Sequence, residues 1–206
     1  MNCIVHQDDH LLVLDKPAGL LAVPGRGADL QDCLSARVQA VWPSALVVHR
    51  LDRDTSGLMV MALSAEAQRD LSRQFADRSA DKVYAAVVFG RPKASEGGIG
   101  LAMRKDFDRP PRHKIDPVEG RPAFTSWRLI ERSADRSRLE VRPLTGRSHQ
   151  IRVHLAALGH PILGDNLYAH HEALAMSPRL LLHAERLSLD HPADGRRLTW
   201  RADCPF

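Results

Sequence analysis

The chain has 206 residues, 44% of them apolar and 26% charged, which suits an ordinary globular core and excludes an intrinsically disordered chain. Its formal net charge is only +4, a mild lean toward anionic partners. Cys3, Cys33 and Cys204 are odd in number and far apart, which argues against a disulfide framework or a zinc knuckle and fits a reducing compartment. No apolar run approaches bilayer-spanning length and no basic-then-apolar leader opens the chain, so a cytoplasmic protein is expected.

From Ile4 to Asp15 the residues alternate and then run apolar, which predicts a strand or hairpin, closed by a turn at Lys16-Pro17-Ala18-Gly19. Leu30, Cys33, Leu34, Val38 and Val41 fall at helical spacing, and Pro43 stops that element. Two short apolar runs then flank His49-Arg50-Leu51-Asp52-Arg53-Asp54-Thr55-Ser56-Gly57, a segment almost wholly polar. A solvated hairpin connection is the ordinary reading of such a segment. A site is the other reading, because ionised groups beside a hydrophobic interior are costly unless partners compensate them. Thr55-Ser56-Gly57 reads as turn chemistry.

Ser64 is placed to cap a helix running to about Asp77, with Leu71 and Phe75 on one face. Val83 to Phe89 reads as a strand. From Pro92 to Pro122 the pattern dissolves into Gly, Pro and charge, which predicts a long loop. Strands are expected over Phe124 to Ile130 and Leu139 to Pro143, then a helix after Gly146 with Ser148 as cap and Gly159 as stop. Leu180-Leu181-Leu182, Leu187-Ser188-Leu189 and Leu198-Thr199-Trp200 read as three further short strands. The mixture lacks regular alternation of strand and helix, which predicts an α+β fold with a largely antiparallel sheet in a single domain spanning residues 1–206.

His49-Arg50-Leu51-Asp52 followed by Thr55-Ser56-Gly57-Leu58 resembles the active-site signature of the RluA-type pseudouridine synthases. Asp15-Lys16-Pro17-Ala18-Gly19-Leu20, Lys82-Val83-Tyr84, Thr145-Gly146-Arg147-Ser148-His149-Gln150-Ile151-Arg152, Gly159-His160-Pro161-Ile162-Leu163-Gly164-Asp165 and Leu181-Leu182-His183-Ala184 resemble the family's other motifs, in order. The resemblance implies the pseudouridine synthase fold: a bent, mostly antiparallel mixed sheet with flanking helices, an RNA-binding cleft and no preceding S4-type domain. It also implies conversion of uridine to pseudouridine in structured RNA, namely large-subunit ribosomal RNA and a tRNA anticodon stem-loop, with a different single RNA target, as in other short relatives, the alternative.

That reaction breaks an N-glycosidic bond and rejoins the base through C5, so positive charge develops at the sugar while the base leaves. A carboxylate near the sugar can stabilise or attack that centre. The resemblance places Asp52 in this role, Arg152 as the cation that keeps it ionised, and Tyr84 against the displaced uracil. The same resemblance makes Arg50 the side chain that enters the RNA stack once the target nucleotide is flipped out. Thr55, Arg147 and His149 are expected RNA contacts, as are Arg109, Arg112 and Lys114 in the basic 104–114 segment, for which a merely solvated charge run is an equal alternative. A metal-dependent hydrolase is the first rival, prompted by 11 histidines, but none forms H-E-x-x-H or a Cys/His ligand set. A non-catalytic RNA-binding module is the second. The expectations are an isomerase with RNA as partner, no metal, no cofactor, no required protein partner and a monomeric state.

Overall fold

The computed structural model describes residues 3–206. In chain order the elements are β1 (Ile4–Gln7), β2 (Leu11–Lys16), α1 (Leu34–Gln39), β3 (Leu46–Val47), β4 (Ser56–Ala62), α2 (Ala65–Ala76) and β5 (Asp81–Phe89). They continue as β6 (Glu96–Ile99), β7 (Met103–Lys105), β8 (His113–Ile115), β9 (Thr125–Arg132) and β10 (Arg136–Pro143). The last are α3 (Gln150–Ala157), α4 (His171–Ala175), β11 (Leu182–Asp190) and β12 (Arg197–Arg201). The class is α+β, and every strand pairing described here is antiparallel except that of β4 with β11. The chain divides into two compact units, one running to Lys82 and taking up His183–Pro205, the other comprising Val83–Leu182 with Phe206.

The first unit is organised on β4, which is buried along its whole length. Side chains of a strand alternate between faces, and here both faces are covered. Leu58, Val60 and Ala62 join Leu11 and Val13 of β2 in a core closed by Leu71 of α2, while Met59 and Met61 join Leu12 and Leu14 under Leu34 and Val38 of α1. That is why both segments read as unbroken apolar runs. β2 lies along one edge of β4. The other edge is shared, with β3 opposite Met61 and Ala62 and β11 opposite Ser56 and Gly57.

The second unit carries strands in the order β5, β10, β9, β6, with Ile151 and Leu155 of α3 packed on Ala86, Val88, Trp127, Leu139 and Val141. Several sequence expectations shift. The helix expected from Leu30 begins only at Leu34, capped by Cys33 Sγ, which accepts the Ala36 amide at 3.4 Å. The expected long loop holds three strands, β6 and the β7–β8 hairpin, whose brevity and glycine content hide them from pattern reading. Leu180–Leu182 and Leu187–Leu189 are not separate strands, since β11 runs unbroken from Leu182 to Asp190. Ser148 does not cap α3. His149 does, at φ 57° and with no side-chain cap.

Candidate active site

Asp52 sits in the 48–55 loop between β3 and β4, and this loop is tied at several points. Near its start His49 Nε2 accepts the Val60 amide at 3.0 Å, so the imidazole takes the bond that a strand would take between β3 and β11. The ring stacks on Phe75, centroids 4.3 Å apart. Loss of hydration, with the Lys82 charge second, drives the His49 pKa down to about 3, and the neutral ring then accepts through Nε2. Leu51 and Thr55 are buried, Asp52 is half-buried, and Arg50 is exposed.

Just past Asp52 the carbonyl of Arg53 accepts both the Gly19 amide, at 2.9 Å, and Lys16 Nζ, at 2.9 Å. Lys16 is fully buried, and its ammonium also donates to the carbonyls of Pro17 at 2.8 Å and Leu20 at 2.7 Å. A buried cation needs its donors satisfied, and two carbonyls of the turn after β2 with one of the Asp52 loop do so. Arg53 closes the clamp by donating Nε to the Gly19 carbonyl at 3.1 Å.

Ser56 and Gly57 are strand residues, not a turn. The Ser56 hydroxyl lies 2.9 Å from His183 Nδ1, both buried. Gly57 has φ +108°, and a Cβ there would stand 2.4 Å from the Ala184 carbonyl oxygen. Glycine is what lets β11 come this close to β4.

Tyr84 is half-buried on β5, opposite Val141 and against the core beneath α3. The Thr-Gly-Arg-Ser-His-Gln segment leads into α3 through a closed polar network. Thr145 Oγ1 accepts the Phe124 amide at 3.0 Å and donates to Gln150 Oε1 at 2.7 Å. Gln150 Oε1 also accepts the Arg147 amide at 3.0 Å, and its Nε2 donates to the Phe124 carbonyl and to Thr125 Oγ1, both at 3.0 Å. Thr125 Oγ1 passes its own proton to His154 Nδ1 at 2.9 Å, and His154 Nε2 donates to the Leu101 carbonyl at 3.0 Å. Burial lowers the His154 pKa, which keeps the ring in the neutral form this chain of bonds requires.

Helix α3 thereby presents Arg152, which is 2% exposed. Its Nε and Nη2 donate to the two oxygens of Asp165 at 2.8 and 2.6 Å, a bidentate pair, and Nη2 also reaches Asn166 Oδ1 at 3.2 Å. The Tyr168 ring faces the same guanidinium, with the centroid 5.2 Å from Cζ. His149 Nδ1 lies 2.6 Å from the Tyr168 hydroxyl. Arg147 is half-buried, its Nε 3.4 Å from the Pro122 carbonyl.

The basic 104–114 segment is the β7–β8 hairpin with its connection, and much of its charge is matched within it. Asp106, buried, is held below its ordinary carboxyl pKa: burial opposes the charge, but Arg109 at 3.1 Å and Lys114 at 3.7 Å outweigh it. Arg104 binds Asp116 at 2.6 Å and Glu119 at 3.3 Å. Arg112 belongs to none of these pairs, and the Phe107 ring, 71% exposed, projects with Lys105 Nζ 5.8 Å from its centroid.

The family model described as RNA pseudouridylate synthase matches residues 10–157, which includes the Asp52 loop, Tyr84 and Arg152. The chain belongs to this family. It is 48% identical over 204 residues to the dual-specificity RNA pseudouridine synthase RluA of Escherichia coli K12, covering 98% of this chain and 93% of the relative. Against the RluA proteins of Yersinia pestis and Haemophilus influenzae the identity is 45%, over 98% of this chain and 99% and 93% of the relatives. Among solved structures, human RNA Pseudouridylate Synthase Domain Containing 1 superposes with TM-score 0.83 at 29% identity, over 99% of this chain and 84% of the other.

As an RNA pseudouridylate synthase the chain is an isomerase that converts uridine in RNA to pseudouridine. Lys16 and His183 hold the ends of the Asp52 loop, and Asp165 and Tyr168 hold Arg152, although each of the four stands in or beside a family motif that does not mark it for this. The bidentate pairing of Arg152 with Asp165 is what the structure adds to the role expected of Arg152 beside Asp52. No periodicity or composition signal marks these four, because each acts on a residue of another segment. Among the described residues no helix is long and apolar enough to cross a membrane.

Proposed function

We propose that Asp52 is the carboxylate that acts at the sugar of the target uridine, and that Tyr84 and Arg152 serve the same step. What supports this reading is the Asp52 loop itself, in which an acid of the family's signature is carried on a backbone clamped by a buried lysine on one side and by the Ser56–His183 pair on the other. Catalytic groups gain most when their supports fix them before substrate arrives. Tyr84 is assigned to the displaced uracil, and Arg152 to charge balance, on their motif positions. The reaction rearranges one molecule: the N1–C1′ bond breaks, a C5–C1′ bond forms, C5 loses its proton and N1 gains one, so atoms and electrons balance without a cofactor or metal.

The RNA contacts belong to the same reading: Arg50, Thr55, Arg147 and His149 near the target nucleotide, and Arg109, Arg112 and Lys114 along the phosphates. Because Arg109 and Lys114 already hold Asp106, Arg112 is the strongest phosphate contact of the hairpin. The targets are large-subunit ribosomal RNA and a tRNA anticodon stem-loop, as the dual-specificity relatives suggest. The chain works as one catalytic domain, a monomer of the cytoplasm with no required protein partner. Tritium release from RNA labelled at uridine C5 tests the chemistry: the parent protein releases label, and Asp52→Asn is expected to lower the rate by at least about 1000-fold while still binding RNA. Undiminished release by the variant removes Asp52 from the reaction. Pseudouridine maps of cellular RNA with and without the gene test the targets.

A further inference from the structure

We propose that Tyr168 is a positioning residue that joins the β7–β8 hairpin to the guanidinium of Arg152, so that the segment meeting RNA and the arginine serving the chemistry are held by one side chain. The proposal rests on the reading of Arg152 and of the hairpin given above. Tyr168 follows Asp165 by three residues, and its backbone is set by the carboxylate: Asp165 Oδ1 accepts the amides of Leu167 at 2.9 Å and Tyr168 at 3.1 Å. A side chain that bonds the backbone ahead of it in this way is a turn device, and it delivers the phenol ring to the guanidinium that Asp165 already holds. Arg152 is then gripped along its edge by the bidentate carboxylate and on its face by the ring, at 5.2 Å, within the range of a cation–π contact.

The hydroxyl does different work. It accepts the amide of His113, the first residue of β8, at 2.8 Å, and lies 2.6 Å from His149 Nδ1 at the start of α3. One oxygen thus bonds both the first residue of β8 and the residue that opens α3. Around this point Tyr168 and Ile115 pack with Met103, Ala123 and Val153, seating both hairpin strands on α3. The two ends of one phenol thus have separate duties: the hydroxyl anchors the hairpin and the helix start, and the ring faces Arg152.

Two variants separate those duties. Tyr168→Phe keeps the ring and loses the anchor, so KM for an RNA stem-loop is expected to rise about 5-fold with a smaller change in kcat, and the His113 amide to exchange with solvent several-fold faster. Tyr168→Leu also strips the face of Arg152, and kcat is expected to fall by about 10-fold or more. Arg152→Gln is measured beside them, since an unchanged rate in that variant fails the reading of Arg152 itself, whereas the exchange of His113 does not depend on that reading. Tyr168→Phe indistinguishable from the parent in KM and in His113 exchange overturns the proposal. So does Tyr168→Leu retaining its kcat while Arg152→Gln loses it, or losing it while Arg152→Gln does not.

Discussion

Arg152 and Asp165 are 2% and 0% exposed, so both charges have left water almost completely. Such a pair contributes little net stability, because desolvation offsets most of the attraction, but removing one partner strands the other. Asp165→Asn is therefore expected to cost about 3–5 kcal/mol, read as a lower urea midpoint with unchanged slope. Arg152→Met combined with Asp165→Leu should recover only part of that stability, because the Leu167 and Tyr168 amides still lose their acceptor, while the protein stays inactive on RNA for want of the cation. Recovered turnover in the double variant would show that the arginine is structural. Lys16 obeys the same physics on a smaller scale: its cost of burial is offset by three carbonyls, one of them on the residue after Asp52. The identity of Lys16 and Asp165 was open in the motifs, but what each holds was not.

At the scale of elements, α3 is fixed to β9 by polar atoms as much as by Ile151 and Leu155. Thr125 Oγ1 is the middle of that network, receiving from Gln150 and giving to His154. Thr125→Val, nearly isosteric, leaves buried partners on both sides with unmade bonds and is expected to cost about 1–3 kcal/mol, measured by denaturant unfolding. A loss below a few tenths of a kcal/mol would mean that the network contributes nothing net. The strands β2, β4, β5, β9 and β10 and the helix α2 were legible in the sequence, the helix down to Ser64, whose hydroxyl accepts the Ala67 amide at 3.1 Å. The hairpin was not legible, because β7 and β8 are each three residues long and offer only one apolar pair, Met103 opposite Ile115, too little to show as a pattern.

For the whole molecule, acid is the informative stress. His49 titrates at about 3 in the folded chain against 6.5 ordinarily, so between those values the unfolded chain binds more protons. The stability it contributes is complete above pH 6.5 and drains away as pH falls toward 3, and His154, also depressed, adds in the same direction. Asp8 and Asp116, held at about 2 against 3.8, add a second loss that sets in as pH falls through the ordinary carboxyl value and runs down to about 2. The thermal midpoint is thus expected to fall already between pH 6.5 and 4, before the carboxylates titrate. His49→Gln should flatten that portion of the curve while lowering stability at neutral pH. A midpoint independent of pH above 4 would contradict the neutral imidazole stacked on Phe75.

The sequence by itself determined the family, the α+β class, the apolar runs that become β2 and β4 and the position of Asp52, because each of these is written in local order: a motif, a period or a run. Only the tertiary structure decided which groups support that chemistry. Ser56 meets His183 across 127 residues, Lys16 meets Arg53 across 37 and His149 meets Tyr168 across 19. Such partners are chosen by where strands and turns converge in space, and a polar side chain looks the same in the sequence whether it ends in water or on a buried carbonyl.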